Sequence, residues 1–391
     1  MRTVRAWTAA LLVLLAVAAT LLAVRLLDRR AGSYTPEDKL DEALAIIRGF
    51  YIGERDEEEL TDAAIDGMVA SLGDRWSYYM TAEETQAYQT ALENSYQGIG
   101  LVIAAGASGG VEVQSVYRSS PAGEAGLLPG SRLLEVNGTD LRALQLDEAT
   151  LLLREAIASG QVALTLAGPD GETRSYTLTP GRVETEPVHA QLLDSGCGLI
   201  TISNFEDRSA QEAIAAVDDL IAQGAKGLIF DVRNNPGGQL AELLELLDHL
   251  LPEGTLFISK AIDGTVREEP SDAACVRVPM AVLVNGSSYS AAEFFAAALR
   301  DYDWAETVGE QTSGKGRAQV TVFLKDGSAL HLSNIEYYTP SGESLVGKGL
   351  TPDIPAALPE EQQAALYYGL LDPAEDAQLQ AAQAAVLALA G

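Results

Sequence analysis

Apolar positions recur at helical spacing early in the chain, in LDEALAIIRGFY (Leu40–Tyr51) and LTDAAIDGMVASL (Leu60–Leu72), and predict a short helical module over residues 35–95. From Tyr96 the texture changes. GIGLVI, GGVEVQSVY, SRLLEVNG and QVALTLAG are short β-rich runs cut by Gly and Pro turns. One helical stretch, LDEATLLLREAIASG, interrupts them, so a small β-rich domain is expected over 96–180. Beyond it, strand and helix alternate. CGLITISNF leads to SAQEAIAAVDDLIAQG, KGLIFDV to QLAELLELLDHLL, and PMAVLVN to SAAEFFAAALRDY. Continuously apolar strands between helices predict an α/β core over 181–391 with a largely parallel sheet. AQVTVFLKDGSALHLS returns to alternating strands about an Asp-Gly turn, and the Ala-rich, acidic tail past Pro355 reads as helix. No segment repeats another. The fold class expected is multidomain α/β.

The N-terminus differs in kind. Ala6 to Val24 is an uncharged apolar run with arginines on both sides, close to the length a helix needs to cross a bilayer. No clear small-x-small cleavage site follows it. Residues 1–34 are therefore expected to be an uncleaved signal anchor with the body of the protein outside the cytoplasm; cleavage would make the protein secreted. Flanking basic residues leave the positive-inside rule undecided.

Charge and rare residues narrow the function classes. A formal net charge of −30 over 391 residues argues against a nucleic-acid partner, because phosphates are bound by clustered Lys and Arg. Cys197 and Cys275 leave two readings, one bridge in an oxidising compartment or two unpaired thiols. His189, His249 and His331 are scattered without H-x-x-x-H spacing, so neither a metal site nor a cofactor is expected.

Two motif matches fail on context. GEQTSGKG (Gly309–Gly316) resembles a phosphate-binding loop, but the Ser or Thr that ligates magnesium is replaced by Gly316, and a strand pattern follows where a helix must begin. GASGG (Gly106–Gly110) matches G-x-S-x-G around Ser108. That motif needs a strand-to-helix turn, and here it lies between two strand-like runs as a hairpin loop.

The serine of more interest is Ser290, at the helix entrance in VLVNGSSYSAAEFFAAALRDY. Ser290 and Glu293 have capping-box spacing, so a purely structural cap is one reading. The same place offers free backbone N–H groups to a developing oxyanion. A serine nucleophile needs a base, and a lysine serves only when neutral, which at pH 7 holds for about one ordinary lysine in a few thousand. Lowering its pKa by about 3 units means destabilising the ammonium by roughly 4 kcal/mol, through burial. Lys315 sits between two glycines with no acidic residue from Gln311 to Phe323. Gln319 could orient its amine without adding charge. Taken singly, Lys315 also reads as a turn lysine and Gln319 as an outward strand position.

Together these residues carry a resemblance. VNGSSYSAAEFFAAAL, VGEQTSGKG and the following Gln resemble the C-terminal processing peptidases, or tail-specific proteases, as do DGMVASLGDRWSYYM and YYTPSGESLVGKGLTPDI. The resemblance spans nearly the whole chain and implies a Ser-Lys-Gln catalytic site at Ser290, Lys315 and Gln319. It also implies an oxyanion hole from the Ala291 amide and a glycine amide of DVRNNPGG, Gly237 ahead of Gly238. The 96–180 domain is similar to PDZ domains, with Gly98, Ile99, Gly100 and Leu101 in the place of the loop that captures a peptide carboxylate. Expected, then, is a serine endopeptidase with a peptidase core of the tail-specific protease type, acting on protein tails with apolar C-termini and supported as a homodimer by its helical ends. The alternative is a catalytically silent, membrane-anchored PDZ adaptor. Two departures from the family pattern stand out: Tyr289 directly before the serine, which would shape the pocket, and Ser131 where an aspartate is usual, which would loosen a turn of the small domain.

Overall fold

The computed structural model describes residues 34–106, 109–367 and 369–390. The apolar run over 6–24 and Ser108 lie outside the described residues. Among the described residues no helix is long and apolar enough to cross a membrane. The chain divides into two compact units, Met1–Ala63 and Ala64–Gly391.

In the first unit, the helix Pro36–Phe50 starts where Thr35 and Asp38 cap each other. Asp38 N–H donates to Thr35 Oγ1 at 3.2 Å and Thr35 N–H to Asp38 Oδ2 at 3.0 Å. None of its residues is buried, and Leu40, Ile46 and Phe50 are exposed. The helix Glu57–Ala70 follows.

The second unit begins with a difference from the helical expectation. Tyr78–Met80 is a strand, paired antiparallel with Ala329–His331. Asp74 turns the chain into it: its carboxylate accepts from Trp76 N–H at 3.1 Å and from Ser77 Oγ at 2.7 Å.

The β-rich part is an antiparallel sheet in the order Leu101–Ala105, Val111–Val116, Arg132–Val136, Val162–Ala167, Thr173–Leu178. The helix Leu146–Ala158 packs Ala149, Leu153 and Ala156 into its core beside Val111, Val113, Leu133 and Leu164. Among the described residues Leu101–Ala105 is an edge strand, with one side free to pair. The entry and exit of this part are joined, because Ser95–Gly98 pairs antiparallel with Gly181–Glu184.

The α/β part centres on a six-stranded sheet ordered Val188–Leu192, Gly198–Ile202, Leu228–Asp231, Met280–Val284, Ala305–Gly309, Ile354–Pro355. Only the first strand is antiparallel to its neighbour. Met280–Val284 shows why such strands read as unbroken apolar runs. Met280, Val282 and Val284 pack into a core with the helices Ser209–Ala222, Leu240–Leu250 and Ala291–Asp301. Ala281 and Leu283 point the other way, under Leu379, Ala382 and Val386 of the C-terminal helix Ala377–Ala390. A second, antiparallel sheet adds Gly254–Ala261, Val266–Ser271, Arg317–Phe323 and Ala329–Tyr338 to Tyr78–Met80. The Asp326-Gly327 turn joins the last pair as expected, with Leu324 N–H donating to Ser328 C=O at 2.8 Å. Cys197 and Cys275 are both free thiols.

One buried charge group fastens the C-terminal helix to the loop leaving Leu228–Asp231. The Arg233 side chain is 3% exposed and lies 2.6 Å from Asp231 and 2.8 Å from Asp376. It also donates to Gln378 Oε1 at 2.9 Å. Asp376 caps the helix with its other oxygen, accepting from Leu379 N–H at 3.0 Å. Arg233→Ala strands two buried carboxylates, so urea unfolding is expected to show a loss of about 3–5 kcal/mol. A loss under about 0.5 kcal/mol, the range of ordinary surface changes, would contradict this role.

Candidate active site

Two loops at the ends of neighbouring parallel strands meet and are laced together. Asn285 Nδ2 donates to Asn234 Oδ1 at 2.9 Å, and Asn234 N–H returns a bond to Asn285 Oδ1 at 3.0 Å. Ser288 Oγ donates to Val232 C=O at 2.7 Å, and Tyr289 N–H to Asn235 C=O at 3.2 Å. The chain then turns sharply at Ser290, with φ 58° and ψ −123°, before the helix Ala291–Asp301 begins. A side chain held at positive φ costs of order 1–3 kcal/mol and persists only where its surroundings dictate it.

Glu293 supplies that dictation. Its carboxylate accepts from Ser290 N–H at 3.0 Å, as a capping box requires. The same carboxylate reaches across to the loop of GEQTSGKG. It accepts from Thr312 Oγ1 at 2.8 Å, Gly314 N–H at 3.0 Å and Lys315 N–H at 2.8 Å. Glu293 is fully buried, and burial pushes its pKa up against these four donors. The S-x-x-E spacing foretold the cap; nothing local foretold the tie to Lys315.

The lysine loop is shaped by its glycines. A Cβ at Gly316 would lie 2.4 Å from the Val346 side chain, and Gly314 has φ +81°. Tyr337, 4% exposed, donates its hydroxyl to Lys315 C=O. The Lys315 Nζ sits 4.7 Å from the centre of the Trp76 ring and 5.8 Å from that of Tyr289, two rings themselves 5.3 Å apart. Burial lowers the lysine's pKa, while the charges of Asp74 and Glu293 act the other way. The local sequence shows no carboxylate near Lys315; the fold brings two. Burial remains the largest influence.

Ser290, Lys315 and Gln319 line one cleft of about 470 Å³, together with Gly237 and Ala291. Gln319 lies at a bulge in its strand. Both hydrogens of its amide nitrogen are engaged, by Arg317 C=O at 2.8 Å and Ser333 Oγ at 3.1 Å. A Cβ on Gly237 would lie 2.7 Å from Ser290 Cβ and 2.9 Å from Ala291 N. The Gly237 N–H itself donates to Asn235 Oδ1 at 2.8 Å. Ala291 N–H has no hydrogen-bond acceptor among the described residues.

The PDZ-like residues are placed apart from this cleft. Gly98 ends its paired strand, and Ile99 is a core residue, 2% exposed, whose C=O accepts from Ala122 N–H at 2.9 Å. Gly100 takes φ +80°, and Leu101, half-buried, starts the edge strand. Ser131 is buried in the small domain, and its C=O accepts from Val113 N–H at 2.8 Å. Sequence reasoning missed Trp76, Tyr337, Glu206 and His331, which reach the site from distant parts of the chain. His331 lines the cleft beside Tyr78 and Tyr88, 4.8 and 5.7 Å between ring centres, with Nδ1 2.9 Å from Thr321 Oγ1. Burial, then the Lys315 charge, holds its pKa down to about 4. Among the described residues no group of His, Cys, Asp or Glu is arranged to hold a metal ion. Replacing Glu293 by Ala removes four charge-assisted bonds from two loops. Chemical denaturation is expected to report a loss of about 3 kcal/mol or more, and a stability unchanged within error would contradict the tie.

The model for peptidase family S41 matches residues 196–356, that for the PDZ domain residues 89–167, and that for the activating protease CtpB N-terminal domain residues 27–85. The chain is 31% identical over 325 residues to the carboxy-terminal processing protease CtpA of Bacillus subtilis strain 168, covering 83% of this chain and 69% of that protein. It is 30% identical to a probable CtpA-like serine protease of Staphylococcus aureus strain N315, covering 83% of this chain and 66% of that one. Among solved structures, the photosystem II D1 C-terminal processing protease aligns over 92% of this chain and 97% of its own, with 26% identity and a TM-score of 0.51. A putative S41 protease from Bacteroides fragilis NCTC 9343 shares the fold, with TM-score 0.56 at 16% identity over 85% of this chain and 91% of that one. The chain belongs to peptidase family S41, and is a serine-type peptidase of the C-terminal processing kind that carries a PDZ domain.

Proposed function

We propose that Ser290 is the nucleophile, Lys315 the general base and Gln319 the residue that positions the lysine amine. The observation that carries this reading is the Glu293 carboxylate, which bonds the backbone of Ser290 and of Lys315 at once. One buried group thereby sets the distance between nucleophile and base. Neutral Lys315 takes the Ser290 proton as Oγ attacks the scissile carbonyl. The tetrahedral oxyanion faces the Ala291 N–H and, once it leaves Asn235, the Gly237 N–H. Donors of this kind are worth about 3 kcal/mol each in the transition state. As the C–N bond breaks, the lysine ammonium returns the proton to the leaving amine. Water then hydrolyses the seryl ester with Lys315 again as base.

Substrates in this reading are proteins with apolar C-terminal tails. The Gly98–Leu101 backbone receives the terminal carboxylate and the free edge of Leu101–Ala105 pairs with the extended tail. The chain is divided as anchor 1–34, helical module 35–95, PDZ domain 96–180 and peptidase core 181–391. The anchor fixes the body outside the cytoplasm, and the exposed apolar residues of Pro36–Phe50 suit a homodimer contact.

The test is hydrolysis of an unfolded protein with an apolar C-terminus. Ser290→Ala and Lys315→Ala are each expected to lose about a thousandfold or more in kcat/KM, while His331→Asn keeps cleavage that still needs Lys315. Wild-type rates in both of the first two variants would refute the assignment. Tail binding with no turnover would favour a silent adaptor. Burial lowers the Lys315 pKa from its ordinary 10.5, so the base is neutral at a lower pH than an exposed lysine. Activity should fall as pH drops through that lowered value and the amine takes up a proton. An acid limb unchanged by Lys315→Ala would contradict it.

A further inference from the structure

We propose that Glu206 forms a subsite for a basic side chain of the peptide substrate, Lys or Arg, flanking the bond that is cut. The proposal rests on reading the Ser290 cleft as the place of cleavage. Glu206 follows Phe205, whose backbone is bonded on both sides to the glycine loop facing the serine. Phe205 N–H donates to Gly237 C=O at 2.8 Å, and Gln239 N–H to Phe205 C=O at 2.6 Å. This pairing places Glu206 in the wall of the same cleft as Ser290 and Lys315.

Its carboxyl is out of balance with its surroundings. Oε2 is shielded from water and has no hydrogen-bond partner among the described residues, whereas the carboxylate of Glu293 meets four donors. Buried carboxylates kept for structure are paired, and one in the wall of a cleft with an unpartnered oxygen is short of a donor. Burial pushes Glu206 up to about 7, the Gln239 amide eases it, and the charge of Glu242 raises it further; no cation is among the groups acting on it. The missing partner is therefore a donor, and a positive charge answers both the unpartnered oxygen and the pair of carboxylates. The surrounding wall suits a long basic side chain in particular. Leu92, Leu240, Tyr78 and Tyr88 line the same cleft and offer apolar and aromatic surface to such a side chain.

The test scans Lys, Arg, Gln, Glu and norleucine through each position around the cleaved bond of a peptide with a constant apolar tail. At one position the wild-type protein is expected to prefer Lys or Arg over norleucine and Gln by about tenfold or more in kcat/KM. Glu206→Gln should shrink that ratio to about twofold or less, and Glu206→Lys should turn the preference toward Glu. Equal rates for all side chains at every position, or a ratio that survives in both variants, would overturn the proposal. Cleavage that persists in Ser290→Ala would instead indict the nucleophile assignment. Should no peptide be cut, the same ratios are read from peptide binding to Ser290→Ala and to Ser290→Ala/Glu206→Lys by fluorescence anisotropy, and flat binding overturns the subsite.

Discussion

Four donors converge on the carboxylate of Glu293, and they come from two loops that the chain separates by about twenty residues. A fully buried carboxylate is expensive to ionise unless such donors are supplied. The loops therefore cannot drift apart without leaving the charge bare. This holds the Ser290 turn in its positive-φ conformation and fixes the Lys315 backbone relative to it. The lysine's amine then has a short tether, and it sits on Trp76 and Tyr289 in a place where burial disfavours its charged form. The rings attract the ammonium while the lack of water penalises it, a balance that suits the role of base proposed for it.

The same cleft is wired into the junction with the small domain. Asn94 Nδ2 donates to Asp207 C=O at 2.7 Å, and Asn204 Nδ2 to Asn94 Oδ1 at 2.7 Å. Arg208 donates to Thr185 C=O at 2.9 Å, and Asp207 N–H to Leu92 C=O at 3.0 Å. Residues flanking the strands that open and close the PDZ-like part thus grip the segment Asn204–Arg208, which contains Glu206. On its other side the sheet is held by the C-terminal helix through Arg233 and Asp376. Cleft, domain junction and chain end share hydrogen-bonded backbone.

Legibility in the sequence followed local physics. Met280–Val284 and Leu228–Asp231 are buried on both faces, so their apolar runs announced a parallel sheet. The glycines around Lys315 ruled out a nucleotide loop, and Ser290-x-x-Glu293 marked a helix start. Tyr78–Met80 was illegible because three residues cannot display a period; its pairing with Ala329–His331 makes it a strand. The Val266–Ser271 strand, VREEPS, is polar and largely exposed at a sheet edge, so no alternation marks it. Trp76, Glu206, His331 and Tyr337 come together only through sheet register and loop closure, which leave no trace at short range. Ile99 was expected in the carboxylate-capturing loop, and packing places its side chain in the core of the small domain.

The account stands on Ser290 being activated by Lys315. The most direct measurement is the rate at which a fluorophosphonate modifies the folded protein, with the modified residue located by mass spectrometry. Modification at Ser290 alone, with a rate that collapses in Lys315→Ala while the fold is retained, is the result expected. Modification elsewhere, or an undiminished rate at Ser290 without the lysine, would contradict it.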